Sequence, residues 1–303
     1  MIDVAPRADR VAGGRRVPPA RAVAANPDGQ RPAIGLSTTF ARVSIMRRLL
    51  LTLTAVLLSL PVLAEDADIA ALFAHADRDG TLVLSSLRTG ETFIHHDTRA
   101  QRRVSPASTF KIFNTLIALE AKAIGGANDR LAWDGQRHAF LDWNRDQTLA
   151  SAFKVSCVWC YQTLARRVGA ATYREAIRQA GYGALSEPFA LTEFWLDGSL
   201  RISAIEQVAF MKQVVRRTLP FGPQAYDTLR DIMVVEQTPA WTLRAKTGWS
   251  TRSTPSLGWY VGYIETHDDT WVFAMHLDLR DAADLPLRAA LTRAALQVKG
   301  LIE

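Results

Sequence analysis

Apolar positions follow two rhythms along this chain. Residues 66–76 repeat them at helical spacing. Residues 81–87 and 91–95 have strand-like composition, and Thr89-Gly90 between them signals a turn, which predicts a hairpin. Ser105-Pro106 reads as the N-cap and first position of a helix, with Ile112, Phe113, Leu116 and Ile117 at helical spacing behind it. Residues 151–168 and 172–180 predict two further helices. Ser203-Ala204-Ile205-Glu206 is a capping box heading a helix through residue 215. Residues 224–235 predict another. Aromatic and β-branched residues return at 241–246, 258–265 and 270–277, with His267-Asp268-Asp269 as the last turn, and 287–301 predicts a closing helix.

Strands near both ends with helices between them predict an α+β fold. One antiparallel sheet, built from both chain ends and flanked by helices, would carry an inserted, mostly helical part. The sheet part spans 65–104 and 236–303, and the helical part spans 105–235.

Ahead of this domain the pattern changes. Met46-Arg47-Arg48 is a short positive segment, residues 49–60 are uncharged and apolar, and Pro61-Val62-Leu63-Ala64 places small residues before Glu65. That is the layout of a cleavable signal peptide over 46–64, too short for a comfortable membrane span. Residues 1–45 lack hydrophobic periodicity, and we expect them to be a misassigned or unstructured extension with Met46 as the initiator. The expected product is an exported, periplasmic domain without a stable membrane anchor.

The net charge of +6 and pI near 9.6 invite a nucleic-acid reading. The charge distribution removes it. Residues 1–64 hold nine arginines and three aspartates, which leaves 27 groups of each sign in 65–303. No basic face for phosphates is expected. The six histidines show no metal-ligand spacing, His95 and His96 being expected on opposite faces of a strand. Glycine-rich loops of phosphate-binding spacing are lacking too. Cys157 and Cys160, the only cysteines, form a Cys-x-x-Cys pair. Such a pair serves redox chemistry or forms a structural bond in an exported protein, although two cysteines inside one regular helix are poorly placed to join.

The strongest chemical signal is Ser108-Thr109-Phe110-Lys111. Residues three apart share a helix face, so the hydroxyl can meet the amine. A serine needs a base before it attacks a carbonyl. Lysine, unlike arginine, can be deprotonated, and only six of the 36 basic residues here are lysines. Ser156-Cys157-Val158 and Lys246-Thr247-Gly248 follow in order, the latter at a predicted strand end.

Ser-x-x-Lys, Ser-x-Val and Lys-Thr-Gly in this order resemble the class D (oxacillinase-type) serine β-lactamases. The resemblance covers nearly all of 66–303. It extends to Pro106-Ala107-Ser108-Thr109-Phe110-Lys111, to Phe194-Trp195-Leu196-Asp197-Gly198-Ser199-Leu200-Arg201-Ile202-Ser203, to Gly258-Trp259-Tyr260-Val261-Gly262 and to Leu285-Pro286-Leu287-Arg288. Tyr182-Gly183-Ala184 departs from the family's Tyr-Gly-Asn.

The resemblance implies a β-lactamase/penicillin-binding transpeptidase-like fold, a small-molecule β-lactam substrate and no cofactor beyond CO2 or bicarbonate. It implies Ser108 as nucleophile and Lys111 as an N6-carboxylysine base assisted by the Trp195 N–H. Ser156 would move a proton to the leaving nitrogen, and Val158 would shield Lys111. Backbone N–H groups of Ser108 and Trp249 would form an oxyanion hole, each donor contributing ~2.7–4 kcal/mol. Lys246, Thr247 and Gly248 would line the substrate site, and Arg288 would take the substrate carboxylate through its forked donors. Two rivals share these motifs: a penicillin-binding domain and a β-lactam sensor, both acylated but slow to turn over. Oligomeric state stays open.

Overall fold

The structure, a computed structural model, describes residues 65–303. The expected extension (1–45) and signal peptide (46–64) lie outside the described residues.

The chain opens with helix α1 (Ala67–Ala76), whose Asp66 N-cap accepts from the Ile69 N–H. The hairpin β1 (Gly80–Ser86) and β2 (Thr92–His95) follows, then the short α2 (Asp97–Ala100). A 3-10 turn over Ala107–Phe110 runs into α3 (Lys111–Glu120). The small pair β3 (Arg130–Leu131) and β4 (Gln147–Thr148) leads into α4 (Leu149–Lys154), α5 (Val158–Val168) and α6 (Ala170–Ala180). A second small pair, β5 (Ala184–Leu185) and β6 (Leu200–Arg201), precedes α7 (Ala204–Arg216) and α8 (Pro223–Ile232). Strands β7 (Val234–Gln237), β8 (Trp241–Ser250), β9 (Ser256–Thr266) and β10 (Thr270–Leu279) complete the main sheet, and α9 (Leu287–Val298) closes the fold.

The main sheet has six antiparallel strands in the order β2-β1-β10-β9-β8-β7. The first hairpin therefore docks on the last long strand, with Gly80 opposite Leu277 and Ser86 opposite Trp271. Both sheet faces are covered, which explains the near-continuous apolar runs in these strands. In β10, Trp271, Phe273 and Met275 face a core with Ile69 and Phe73 of α1 and Leu291 and Leu296 of α9. Val272 and Ala274 face the opposite core, shared with the helical part.

Helix α3 runs through the middle of that second core. Its residues from Lys111 to Ala118 are all buried, as expected of a helix packed on every side. Phe110, just before it, touches the rings of Phe113, Tyr173, Tyr182, Phe194 and Trp195. A Phe→Ala change in such a cluster costs ~3–5 kcal/mol. This packing fixes the level at which the Ser-x-x-Lys turn meets the sheet.

Several elements differ from the sequence expectation. The helix expected over 151–168 is two helices, broken at Ser156. The segment expected as helix over 224–235 turns at Met233 into the edge strand β7. Ser105 does not cap a helix: Pro106 takes the cap position, and the Ser105 hydroxyl donates to the Trp195 carbonyl at 2.9 Å. His96 has left the strand, with φ 58, to precede α2. The capping box holds: the Ser203 hydroxyl accepts from the Glu206 N–H, and Glu206 accepts from the Ser203 N–H.

Candidate active site

Ser108 lies in the 3-10 turn ahead of α3, where backbone N–H groups lack intrahelical acceptors. Three contacts set this turn against its surroundings. Trp259 Nε1 on β9 donates to the Ser105 carbonyl at 2.9 Å. Gln207 on α7 donates to Thr109 Oγ1 at 2.9 Å. Gly248 on β8 faces the turn so closely that an added Cβ would lie 3.1 Å from the Pro106 carbonyl oxygen.

One helical turn after Ser108, Lys111 is 1% exposed, and its Nζ donates to Ser108 Oγ at 3.1 Å. Its ammonium has been taken out of water among apolar side chains, with the Tyr161 ring 5.0 Å away. Burial, reinforced by the neighbouring Lys246, pushes its pKa well below the ordinary lysine range. Burial thus favours the neutral amine over the ammonium. Trp195 is fully buried and stacks on Phe110 at 5.9 Å. Its Nε1–H has no hydrogen-bond partner among the described residues. A buried, unpaired indole N–H is costly, so this donor awaits an acceptor.

Ser156 occupies a different kind of junction. At the end of α4 its N–H donates to the Phe153 carbonyl (3.2 Å), and the Cys157 N–H donates to the Ala152 carbonyl (2.9 Å). This is the paired bonding of a Schellman ending, whose left-handed position is usually glycine. Serine holds it here at φ 57. Cys157 then caps α5, accepting from the Cys160 N–H at 3.2 Å. Because Cys157 lies outside the regular helix, the two cysteines reach each other and form a disulfide. The left-handed turn also delivers Ser156 Oγ to Lys246 Nζ of β8, 2.5 Å away. Lys246 is buried too, and burial, with the Arg288 charge nearby, lowers its pKa to about 7.

Arg288 begins α9 beneath this site. Its Nε donates to the Leu285 carbonyl and its Nη1 to the Gly248 carbonyl, both at 2.7 Å. Burial lowers even this guanidinium, to about 10. Gly258 makes room for it, since an added Cβ would come within 2.7 Å of the Arg288 side chain.

These elements enclose a cleft of about 450 Å³, which Ser108, Ser156, Val158, Thr247, Gly248, Trp249 and Arg288 all line. Lys111, Trp195 and Lys246 are buried behind it. The sequence-derived residues are thus brought together from the turn before α3, α3 itself, the α4–α5 junction, α5, the segment between β5 and β6, β8 and α9. Sequence reasoning missed Phe140, Trp143 and Arg252 in the cleft lining, and gave Leu196 and Leu285 only as members of matching stretches. No periodicity marked Trp143; in the structure its indole donates to the Val155 carbonyl and its own carbonyl accepts from Trp159 Nε1, both at 2.9 Å.

A serine hydrogen-bonded to a buried amine, beside a strand carrying Lys-Thr-Gly, is the arrangement expected of a penicillin-recognising serine enzyme. Residues 80–297 match the penicillin binding protein transpeptidase domain. The chain is 37% identical to β-lactamase OXA-20 of Pseudomonas aeruginosa over 236 residues, 77% of this chain and 87% of the relative. It is 35% identical to β-lactamase OXA-48 of Klebsiella pneumoniae over 254 residues, 82% of this chain and 96% of the relative. Among solved structures, a class D β-lactamase from Nostoc superposes with a TM-score of 0.76 at 36% identity, covering 78% of this chain and 100% of that one. The class D enzyme FUS-1 of Fusobacterium nucleatum gives 0.77 at 33% identity, covering 79% and 100%. The chain belongs to the class D serine β-lactamases, and it is an enzyme of that family.

Proposed function

We propose that this chain hydrolyses β-lactams through an acyl-enzyme on Ser108, with Lys111 carboxylated on Nζ. The observation that carries this reading is the buried Lys111, its charged form disfavoured, 3.1 Å from Ser108 Oγ, in a core where the Trp195 N–H lacks an acceptor among the described residues. Carboxylation suits both groups. A neutral amine can take up CO2, and the product offers oxygen acceptors to a stranded donor. Bound there, the carbamate supplies a base for the Ser108 proton and for the deacylating water.

The chain's own groups do the rest. Ser108 Oγ attacks the lactam carbonyl. The N–H groups of Ser108 and Trp249 hold the resulting oxyanion. Ser156 Oγ, hydrogen-bonded to Lys246, passes a proton to the lactam nitrogen as it leaves. Thr247 and Arg288 bind the substrate carboxylate from the cleft floor, and Val158 keeps bulk water from Lys111. The motif over 46–64 would direct the protein out of the cytoplasm.

Purified protein should turn over a chromogenic cephalosporin or a penicillin many times. A single stoichiometric burst would point instead to a sensor or a slow penicillin-binding domain. Stripping CO2 at mildly acid pH should depress the rate, and bicarbonate should restore it; a rate indifferent to CO2 would remove the carbamate. Lys111→Ala should lose turnover while any residual acylation accumulates as a covalent adduct visible by mass spectrometry.

A further inference from the structure

The disulfide lies inside the second catalytic motif. Cys157 stands between Ser156 and Val158, both of which line the cleft, and Cys160 lies one helical turn on. We propose that the Cys157–Cys160 disulfide is a positioning element for acylation, holding Ser156 Oγ on Lys246 and the first turn of α5 against the cleft. The proposal rests on the role assigned above to Ser156.

Cys157 serves two helices at once. Its N–H completes the ending of α4, and its Sγ caps the start of α5. Its backbone (φ −54, ψ 113) is the hinge between the two helix axes. Ser156, one residue earlier, is held in the left-handed region without the freedom of glycine. Rotation at Cys157 would swing Ser156 Oγ away from Lys246 Nζ. Cysteine is not among the favoured N-cap residues, so the hydrogen bond alone is a weak restraint. The covalent link makes it firm.

The ring closed by the bond contains Val158 and Trp159. Val158 lines the cleft, and Trp159 Nε1 donates to the carbonyl of Trp143, which lines it too. A single bond thus steadies Ser156, Val158 and, through Trp159, Trp143. Both cysteines are fully buried, which shields the link from thiols in solution. Its formation joins two thiolates, and the two electrons pass to a dithiol–disulfide exchange protein, whose own disulfide is reduced to a dithiol. Such oxidants act outside the cytoplasm.

The test separates the covalent link from the cap. The variant Cys157→Ser with Cys160→Ala keeps an oxygen at the N-cap and loses only the link. Active sites are counted by titration with a slowly released β-lactam, and acylation and deacylation are then measured per titrated site. Acylation should slow about tenfold or more while deacylation stays within about twofold, a split that partial misfolding cannot produce. Parental acylation per titrated site would overturn the proposal. So would two free thiols in fully active exported parent. Should the double variant fail to fold, parent refolded under reducing and under oxidising conditions gives the same comparison, and equal acylation rates would again overturn it. A parent that acylates without turnover would sink the hydrolase reading and leave this comparison intact.

Discussion

Ser156 shows what a single residue gives up for its task. The left-handed position ending α4 costs a side-chain-bearing residue ~1–2 kcal/mol, which glycine avoids. Ser156→Gly should therefore raise the unfolding free energy by about 1 kcal/mol and strongly impair acylation; urea titration and single-turnover kinetics would show both. Loss of stability on that change would mean that the lost hydrogen bond from Lys246 outweighs the relief of the backbone. Lys246 makes a second trade. Its folded pKa is about 7 against an ordinary 10.5. Between these values the unfolded chain holds a proton that the folded chain lacks, so stability rises with pH, at ~1.4 kcal/mol per unit at most. Lys246→Met should thus stabilise the protein most at or below about pH 7 and lose that advantage as the pH approaches 10. Unfolding midpoints of parent and variant across that range would check it, and a difference flat in pH would exclude the burial described. Spacing in the chain revealed Ser108 and Lys111 because a helix turns three-residue separations into contacts. The Ser156 break stayed hidden because the apolar periodicity runs on across it, and the preference for glycine at a helix end gave no warning of a serine.

Among elements, strand β9 is the most constrained by its neighbours. Gly258 and Gly262 are both sites where a methyl group has no room, but the obstacles differ. At Gly262 an added Cβ would lie 2.1 Å from the Arg244 carbonyl oxygen of β8, so Gly262→Ala should break pairing in the sheet centre and leave little folded protein. At Gly258 the obstacle is the Arg288 side chain, at 2.7 Å, which can move. Gly258→Ala should keep the fold and displace the guanidinium, raising KM for a penicillin about tenfold with kcat within about twofold. An unchanged KM would take Arg288 out of substrate binding. Strands and long helices were legible in the sequence because period 2 and period 3.6 follow directly from burial. The contacts of Trp195 and Arg288 were not, since no periodicity links residues brought together from loops and distant elements; only resemblance to other chains suggested them. The disulfide stayed undecided in the sequence for one local reason: the helix expected over 151–168 includes Cys157, and Cys157 is a cap.

At the scale of the whole molecule, the two ends of the described chain meet. Lys299, just after α9, contacts Asp66 and Asp68 at 2.6 and 2.9 Å. Glu65 already takes part in the fold, accepting from the His96 N–H at 2.8 Å. The exported form should begin at Glu65, and N-terminal sequencing of periplasmic protein would check this; a mature form retaining residues before 46 would refute the proposed start and cleavage. The pairing of β1 with β10 has a further consequence, this one in time. Strand β1 is synthesised early, yet its partner residues lie 185 to 197 positions later. Contacts of such long separation are slow to form, and here the partner does not yet exist while most of the chain is being made. The emerging chain cannot close its central sheet until nearly all of it is available. For the export proposed from the motif over 46–64, this delay would keep the chain open to threading through a narrow secretion channel, with the turn carrying Ser108 set against β8 only on the far side.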